Sequence, residues 1–387
     1  MPLNIRSSVL ALSLAVCAGA LIPLSGCGGG TMRDAHRGQT RVGPVVAFDT
    51  TATAPESWKS AGYRLDWVGF PFPSTPGPKM VREIIASDDV IIAQDRQSRV
   101  AVLEANNGQV RWSTSIANPL TKFVGLTRDT ADATRLVVSS ESEAFVLGLN
   151  NGTLLAREKF ERVVNTAPVA TPGQLLYGTS VGEVLSHRLG TGLKAWGFQG
   201  NGIIEANPVK VGDVVGVVSQ RGDVMFFSPD NGTLVGRGMT FGGLSSDPVA
   251  NSDTLYVAGR DQSVWAFGTN GAVRWRYRTP SVLTSQPFIH ANALYVQVPG
   301  DGLTALNSRT GDVLWKSKDV KGDVFAVRGK NVLVYEGGTL SVVDAAKGRV
   351  VTQFATPGIN RFVTDKAVDG NLYAITESNQ VVKYIPQ

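Results

Sequence analysis

From residue 58 onward, apolar and polar positions alternate in short runs, and each run is broken by a glycine. VAVLEANNGQVRW (100–112), VLSHRLGTGLKAW (184–196), VWAFGTNGAVRW (264–275) and LTALNSRTGDVLW (303–315) are four statements of one pattern. FVLGLNNGTLLA (145–156), VMFFSPDNGTLVG (224–236) and LSVVDAAKGRVVT (340–352) are looser ones. A period of two predicts strands rather than helices. Asn-Gly, Thr-Gly or Lys-Gly between two such runs predicts a β-hairpin, with glycine supplying the positive φ that the turn needs.

The pattern recurs at a fixed interval, and the interval decides the fold. The turn glycines are Gly108, Gly152, Gly192, Gly232, Gly271, Gly311 and Gly348, at spacings of 44, 40, 40, 39, 40 and 37. In four copies a tryptophan follows the glycine by four residues: Trp112, Trp196, Trp275 and Trp315. The second, fourth and seventh copies lack it. A second marker lies upstream of several hairpins: Pro168-Val169, Pro208-Val209, Pro248-Val249 and Pro287-Phe288. Short strands at 175–177, 214–218 and 255–257 fall between marker and hairpin, so one period holds four strands. Four-stranded units of about 40 residues stacked radially make a β-propeller, an all-β fold. No such sheet buries both faces alone, so the tryptophans are read as packing between neighbouring sheets.

The two ends of the chain set the blade number. After the seventh copy, residues 361–387 supply three strands, around 362–363, 372–375 and 381–385. Residues 58–69, WKSAGYRLDWVG, supply one strand that no copy claims. Pairing the N- and C-terminal strands completes an eighth four-stranded blade and closes the ring over residues 58–387; seven blades result if the ends do not pair. PFPSTPGP (71–78) is then a stiff connector.

Ahead of the propeller the pattern changes. Arg6 precedes an almost unbroken apolar stretch from 9 to 24, followed by small residues, as in a secretion signal. The alternative, a membrane span, needs about 20 apolar residues, and Gly19 and Pro23 interrupt this shorter stretch. Leu24-Ser25-Gly26-Cys27 resembles the lipobox of bacterial lipoproteins. That resemblance implies cleavage after residue 26 and lipid attachment to Cys27, with Gly28 favouring the outer membrane. It also explains the cysteine usage, because cleavage removes Cys17 and leaves Cys27 as the chain's sole cysteine. Residues 27–57 are polar, rich in Gly and Thr and without periodicity, and read as a flexible tether. The formal net charge is +5 over the whole chain, scattered rather than clustered, which gives no nucleic-acid footprint.

Strings that look like chemistry lose that meaning in context. Gly178-Thr179-Ser180-Val181-Gly182 matches a nucleophile elbow, which requires a strand turning into a helix; here strand leads to strand. Arg221-Gly222-Asp223 falls in the corresponding turn of the next repeat. Asn151-Gly152-Thr153 and Asn231-Gly232-Thr233 are hairpin turns. His36, His187 and His290 share no ligand-like spacing. Carboxylates such as Asp213, Asp253 and Asp312 flank turns, where Asp is favoured for backbone reasons. No residue is nominated as catalytic, cofactor-binding or metal-binding. Trp265, in the VWAF strand, is the one hint of a ligand pocket, and packing explains it as well.

The repeat, apolar-x-A-L-x-x-x-x-G-x-x-x-W, resembles that of the quinoprotein (PQQ-like repeat) propellers over nearly all of residues 58–387. One branch contains quinone-dependent dehydrogenases, many with an adjacent Cys-Cys pair that this chain does not have. The lipobox, tether, length and blade count resemble instead the BamB-like outer-membrane assembly lipoproteins. That resemblance implies a non-catalytic, cofactor-free, monomeric propeller held by lipid on the periplasmic face of the outer membrane. There it would bind the central barrel-assembly protein, unfolded outer-membrane proteins, or both. The alternatives are a periplasmic ligand- or glycan-binding propeller and, further off, a quinone-dependent dehydrogenase. Partner-binding residues are not legible, since the loops that would carry them lie outside the repeat.

Overall fold

The computed structural model describes residues 48–72, 81–87 and 89–387. Cys17, Cys27, His36, the signal segment and most of the proline-rich connector lie outside the described residues. Among those described, 32 strands form eight antiparallel four-stranded sheets, with one short helix, Pro55–Ser60. Blades 1 to 7 run over residues 81–115, 123–159, 169–199, 209–239, 249–278, 288–317 and 323–355. Blade 8 takes three strands from the C-terminal region: Ile359–Thr364, Leu372–Thr376 and Val381–Pro386. Its outer strand is Tyr63–Gly69, paired antiparallel to the last of these from Tyr63↔Pro386 to Gly69↔Val381. The eight-bladed ring closed by both ends, expected from the leftover strands, is the observed one.

First strands of several successive blades touch one another, which puts them around the axis. The Pro-Val markers lead into these inner strands, as at Val169–Thr171 and Val209–Val211. Second and third strands are buried on both faces (Val90–Asp95 throughout its length), whereas outer strands such as Val110–Ser115 alternate between half-buried and exposed. The core is accordingly divided. Eight clusters of buried apolar residues are each shared between two adjacent blades, for example Val218, Phe226, Val257 and Phe267 between blades 4 and 5.

The tryptophans seal these seams in one geometry. Trp112, Trp196, Trp275 and Trp315, on outer strands, lie against the turn glycine of the next blade. Each indole Nε1–H donates to the carbonyl three residues before that glycine: Leu149 (2.7 Å), Pro229 (2.9 Å), Ser308 (2.9 Å) and Ala345 (2.9 Å). Trp67, on the closing strand, is a fifth member, placed on Gly108 with its N–H to Ala105 O at 3.1 Å. The glycines are required twice over. Gly232 has φ +73°, and a Cβ there would sit 2.4 Å from the Trp196 ring. Gly232→Ala is therefore expected to cost about 2–4 kcal/mol, combining left-handed strain with overpacking. Gly190→Ala, at φ +85° with open space around it, should show only the strain, about 1–2 kcal/mol. Urea unfolding of the two variants makes the comparison.

Packed structure reaches into the span read as a tether. Residues 48–57 fall within the span read as a tether, yet they pack on blades 7 and 8. Phe48 N–H donates to Gln380 Oε1 (2.6 Å), and the Thr53 hydroxyl donates to Ala355 O (3.0 Å). The helix Pro55–Ser60, with proline suited to its first turn, buries Trp58 against Phe354, Phe362 and Tyr384. The strand expected over 58–69 is consequently shorter, Tyr63–Gly69.

Candidate partner-binding face

Two kinds of segment share one face of the ring: the turns between second and third strands, and the connections from each outer strand to the next inner strand. Across blades 2 to 5 these segments expose a run of apolar side chains, Val163, Val181, Ile203 and Phe241, joined by Met239 at the end of the outer strand of blade 4. Phe241 is 74% exposed, in the connection TFGGLSSDP between blades 4 and 5. It does not hang free. The Arg276 guanidinium lies over its ring at 4.9 Å and over Trp265 at 4.3 Å, and Trp265 meets Phe241 edge-on at 5.6 Å. Asp261 Oδ2 fixes both supports, accepting from Trp265 Nε1 (2.9 Å) and from Arg276 (3.3 Å). Trp265 itself is buried and stacks on Phe267, so packing is its role.

Beside Phe241 is a small polar hollow of about 120 Å³, lined in part by Glu205, Gln220, Ser245, Asp247 and Arg260. A ladder of hydrogen bonds shapes it. Asp247 accepts both the backbone N–H (2.7 Å) and the side-chain amide (2.6 Å) of Asn207, whose own Oδ1 accepts Ala167 N–H (2.8 Å). One polar chain thus ties the entries to the inner strands of blades 3, 4 and 5, and stiffens the loops that carry the apolar residues. Arg260 donates to the Ser245 hydroxyl (2.8 Å), while Glu205 is exposed and has no ion pair among the described residues. Two other acids on this face are paired within their own blades, Asp223 with Arg237 (2.8 Å to each oxygen) and Glu183 with Lys194 (2.6 Å); Arg162, in the connection from blade 2, also reaches Glu183 at 3.4 Å. An aromatic anchor held on a rigid support, ringed by polar groups, is the composition of a protein-binding hot spot.

The sequence strings settle as follows. Ser180 lies in a strand-to-strand turn of blade 3, between Gln174–Gly178 and Glu183–Arg188. Asp223 of the Arg-Gly-Asp string is buried under its arginine partner. Asn151 and Asn231 Oδ1 accept the N–H of Thr153 (3.1 Å) and Thr233 (3.0 Å), closing their turns. His187 is buried beside Glu158, and His290 ends an inner strand.

A quinone held by a calcium ion would need converging oxygen donors. The two cysteines are ten positions apart rather than adjacent, and no group of three or more His, Cys, Asp or Glu converges among the described residues. Where the inner strands of blades 1 and 8 meet, the groups are Arg82, Glu83 and Arg361. Burial pushes the Glu83 carboxyl up, against the pull of Arg82 and Arg361, and burial pushes the Arg361 guanidinium down. A trio with one acid is not a calcium donor set.

Comparison with known proteins agrees with the fold. The family model described as outer membrane protein assembly factor BamB matches residues 45–198, 96–240 and 220–386. The BamB of Burkholderia pseudomallei is 26% identical over 204 residues, 47% of this chain and 53% of that protein. The BamB of Legionella pneumophila is 32% identical over 102 residues, 26% of this chain and 25% of that one. The BamB of Bordetella pertussis is 25% identical over 152 residues, 37% and 39%. The chain thus spans about half, or less, of the length of the curated relatives it matches. Two solved structures share the fold. BamB from Moraxella catarrhalis has a TM-score of 0.64 at 17% identity, covering 78% of this chain and 93% of that one. The computationally designed Ika8 protein has a TM-score of 0.67 at 11% identity, covering 84% and 99%.

Proposed function

We propose, from the premise that the chain belongs to the family of outer membrane protein assembly factor BamB, that it is a non-catalytic scaffold for assembly of outer-membrane β-barrel proteins. Residues 1–26 are its signal, Cys27 carries lipid, residues 27–47 link the lipid to the body, and the propeller works on the periplasmic side of the outer membrane. The partner is the central barrel-assembly protein, and the face that receives it is the one carrying Phe241, Ile203 and Val181. The observation that carries this reading is the exposed Phe241, held on the surface by Arg276 and Trp265. Scaffolding needs no more chemistry than this. The lipid raises the local concentration at the membrane, and the rigid face fixes the orientation of what it holds.

The test is a crosslinked pull-down of the full-length protein from its own membranes, with mass spectrometry of what is recovered. The central barrel-assembly protein should be captured by the wild type. Cys27→Ser should leave the membrane fraction. Phe241→Asp should lower capture by about 30-fold, the value of a 2 kcal/mol hot spot, while the melting temperature stays within a degree or two. Reproducible absence of that partner from wild-type captures would sink the reading.

A further inference from the structure

We propose that the crevice between the helix Pro55–Ser60 and the closing strand Tyr63–Gly69 is a second binding site, one for an extended peptide segment. The segment's backbone adds to the free outer edge of the closing strand, and one of its aromatic side chains enters the crevice. The site belongs to blade 8 and does not rest on the reading of the Phe241 face.

Three observations lead there. The first is space of the right kind. The crevice holds about 270 Å³ and is lined mainly by Trp58, Tyr63, Leu65, Tyr384 and Pro55. A cavity of about 150 Å³ already accommodates benzene, so a ring with a polar tip fits. The second is an unpaired group. Tyr384 is 3% exposed and stacked on Trp58 at 3.7 Å, yet its hydroxyl has no hydrogen-bond partner among the described residues. Three other buried tyrosines are paired, Tyr63 with Gly370 O (3.1 Å), Tyr177 with the Ser139 hydroxyl (2.7 Å) and Tyr256 with Ser308 O (3.0 Å), while Tyr295, equally buried, is not paired among the described residues. A hydroxyl left over in an aromatic crevice is a hydrogen bond on offer to whatever enters.

The third observation is the strand beside it. The closing strand pairs only with Val381–Pro386 among the described residues, so its other edge presents N–H and C=O groups in the manner of strand-addition sites. Alternation along that strand puts Tyr63 and Leu65 on the crevice side, and Leu65 is partly exposed there. The strand's exposed acid is already occupied, Asp66 pairing with Lys383 at 3.1 Å. Around the mouth, Lys59 and Arg64 outnumber Glu56, which favours a segment flanked by acidic residues. The occupant defined by these groups is an extended, aromatic-bearing peptide of slightly acidic character.

The probe is a fluorescein-labelled ten-residue peptide of alternating Tyr and Thr with Asp at each end, titrated by anisotropy against the full-length protein in detergent. Saturable binding is expected. Tyr384→Phe, which keeps the ring and removes only the hydroxyl, should weaken it about fivefold. A peptide N-methylated at alternate residues, unable to pair as a strand, should bind at least about tenfold more weakly. Phe241→Asp should leave the affinity unchanged, so that failure here and failure of the scaffold reading are told apart. Absence of saturable binding, indifference to both Tyr384→Phe and N-methylation, or competition by N-acetyltyrosinamide at the peptide's own affinity would each overturn the proposal.

Discussion

Trp67→Ala is expected to lower the unfolding free energy by about 3–5 kcal/mol, and deletion of residues 48–69 to abolish cooperative folding. The ring is closed only by non-covalent pairing of strands more than 300 positions apart in sequence, and Trp67 is the point where that pairing meets blade 1. Its ring lies on Gly108, its N–H reaches Ala105 O, and Lys383 Nζ donates to the same carbonyl at 2.7 Å. Removing the indole leaves a cavity between blades 8 and 1 and takes one of two donors from a buried carbonyl. The deletion removes Trp58, Tyr63 and Trp67 together, each buried. At about 3–5 kcal/mol apiece, the loss matches or exceeds the 5–15 kcal/mol that stabilises an ordinary domain. It also strips the fourth strand from blade 8 and uncovers one face of its apolar core. Urea unfolding followed by far-UV circular dichroism decides the matter. A sharp transition in the deleted chain, at the wild-type midpoint, would mean that seven blades and a remnant suffice, and that closure by the ends contributes nothing.

How much of this was legible in the sequence follows from where the repeat reaches. Turn glycines and tryptophans recur because every seam has the same contact to make, so blade number and the packing role of Trp112, Trp196, Trp275 and Trp315 could be read directly. Trp67 is their equivalent without the sequence mark, because no hairpin glycine precedes it: the two ends of the chain replace that turn. The helix Pro55–Ser60 is too short to show a period and is preceded by a stretch rich in Thr and Ala, so its packed residues carry no pattern that sets them apart from a tether. Phe241, Ile203 and Val163 lie in connections that the repeat does not constrain, and only the fold shows that they share a face. Copies lacking tryptophan mark seams that must be sealed in another way. At the seam between blades 4 and 5, Gly236 and Gly238 bring the backbone itself against Asn270 and Gly271. At the seam between blades 7 and 8, Ser60 meets Thr352, and Trp58 fills the space.

At the seam between blades 2 and 3 the seal is a buried pair of charge-bearing groups, and Glu158→Ala is expected to cost about 3–5 kcal/mol near neutral pH. Ala156 stands where tryptophan would be, and Glu158, two residues on, reaches across instead. One carboxylate oxygen meets His187 Nε2 at 2.8 Å and the other accepts Gly190 N–H at 2.8 Å, with Phe160 edge-on to the imidazole. The histidine and the carboxylate are 2% and 7% exposed, so loss of either leaves the other desolvated without its partner. Glu158→Gln, which keeps the shape and removes the charge, should cost less, about 1.5–3 kcal/mol. The pH dependence separates charge from shape. Burial alone would push the Glu158 carboxyl up, but the hydrogen bonds from His187 and Gly190, with the field of His187 and Arg135, outweigh it and hold the group below its ordinary value. A glutamate in the unfolded chain titrates near about 4.3. A lowered folded value means that the charge stabilises fully above roughly pH 5, and that this stabilisation is lost as pH falls below about 4 through the folded value. The stability difference between wild type and Glu158→Gln should thus shrink as pH falls below about 4, measured by urea unfolding at each pH. A difference that persists undiminished at pH 3 would assign the seal to shape alone and refute a charged joint between these blades.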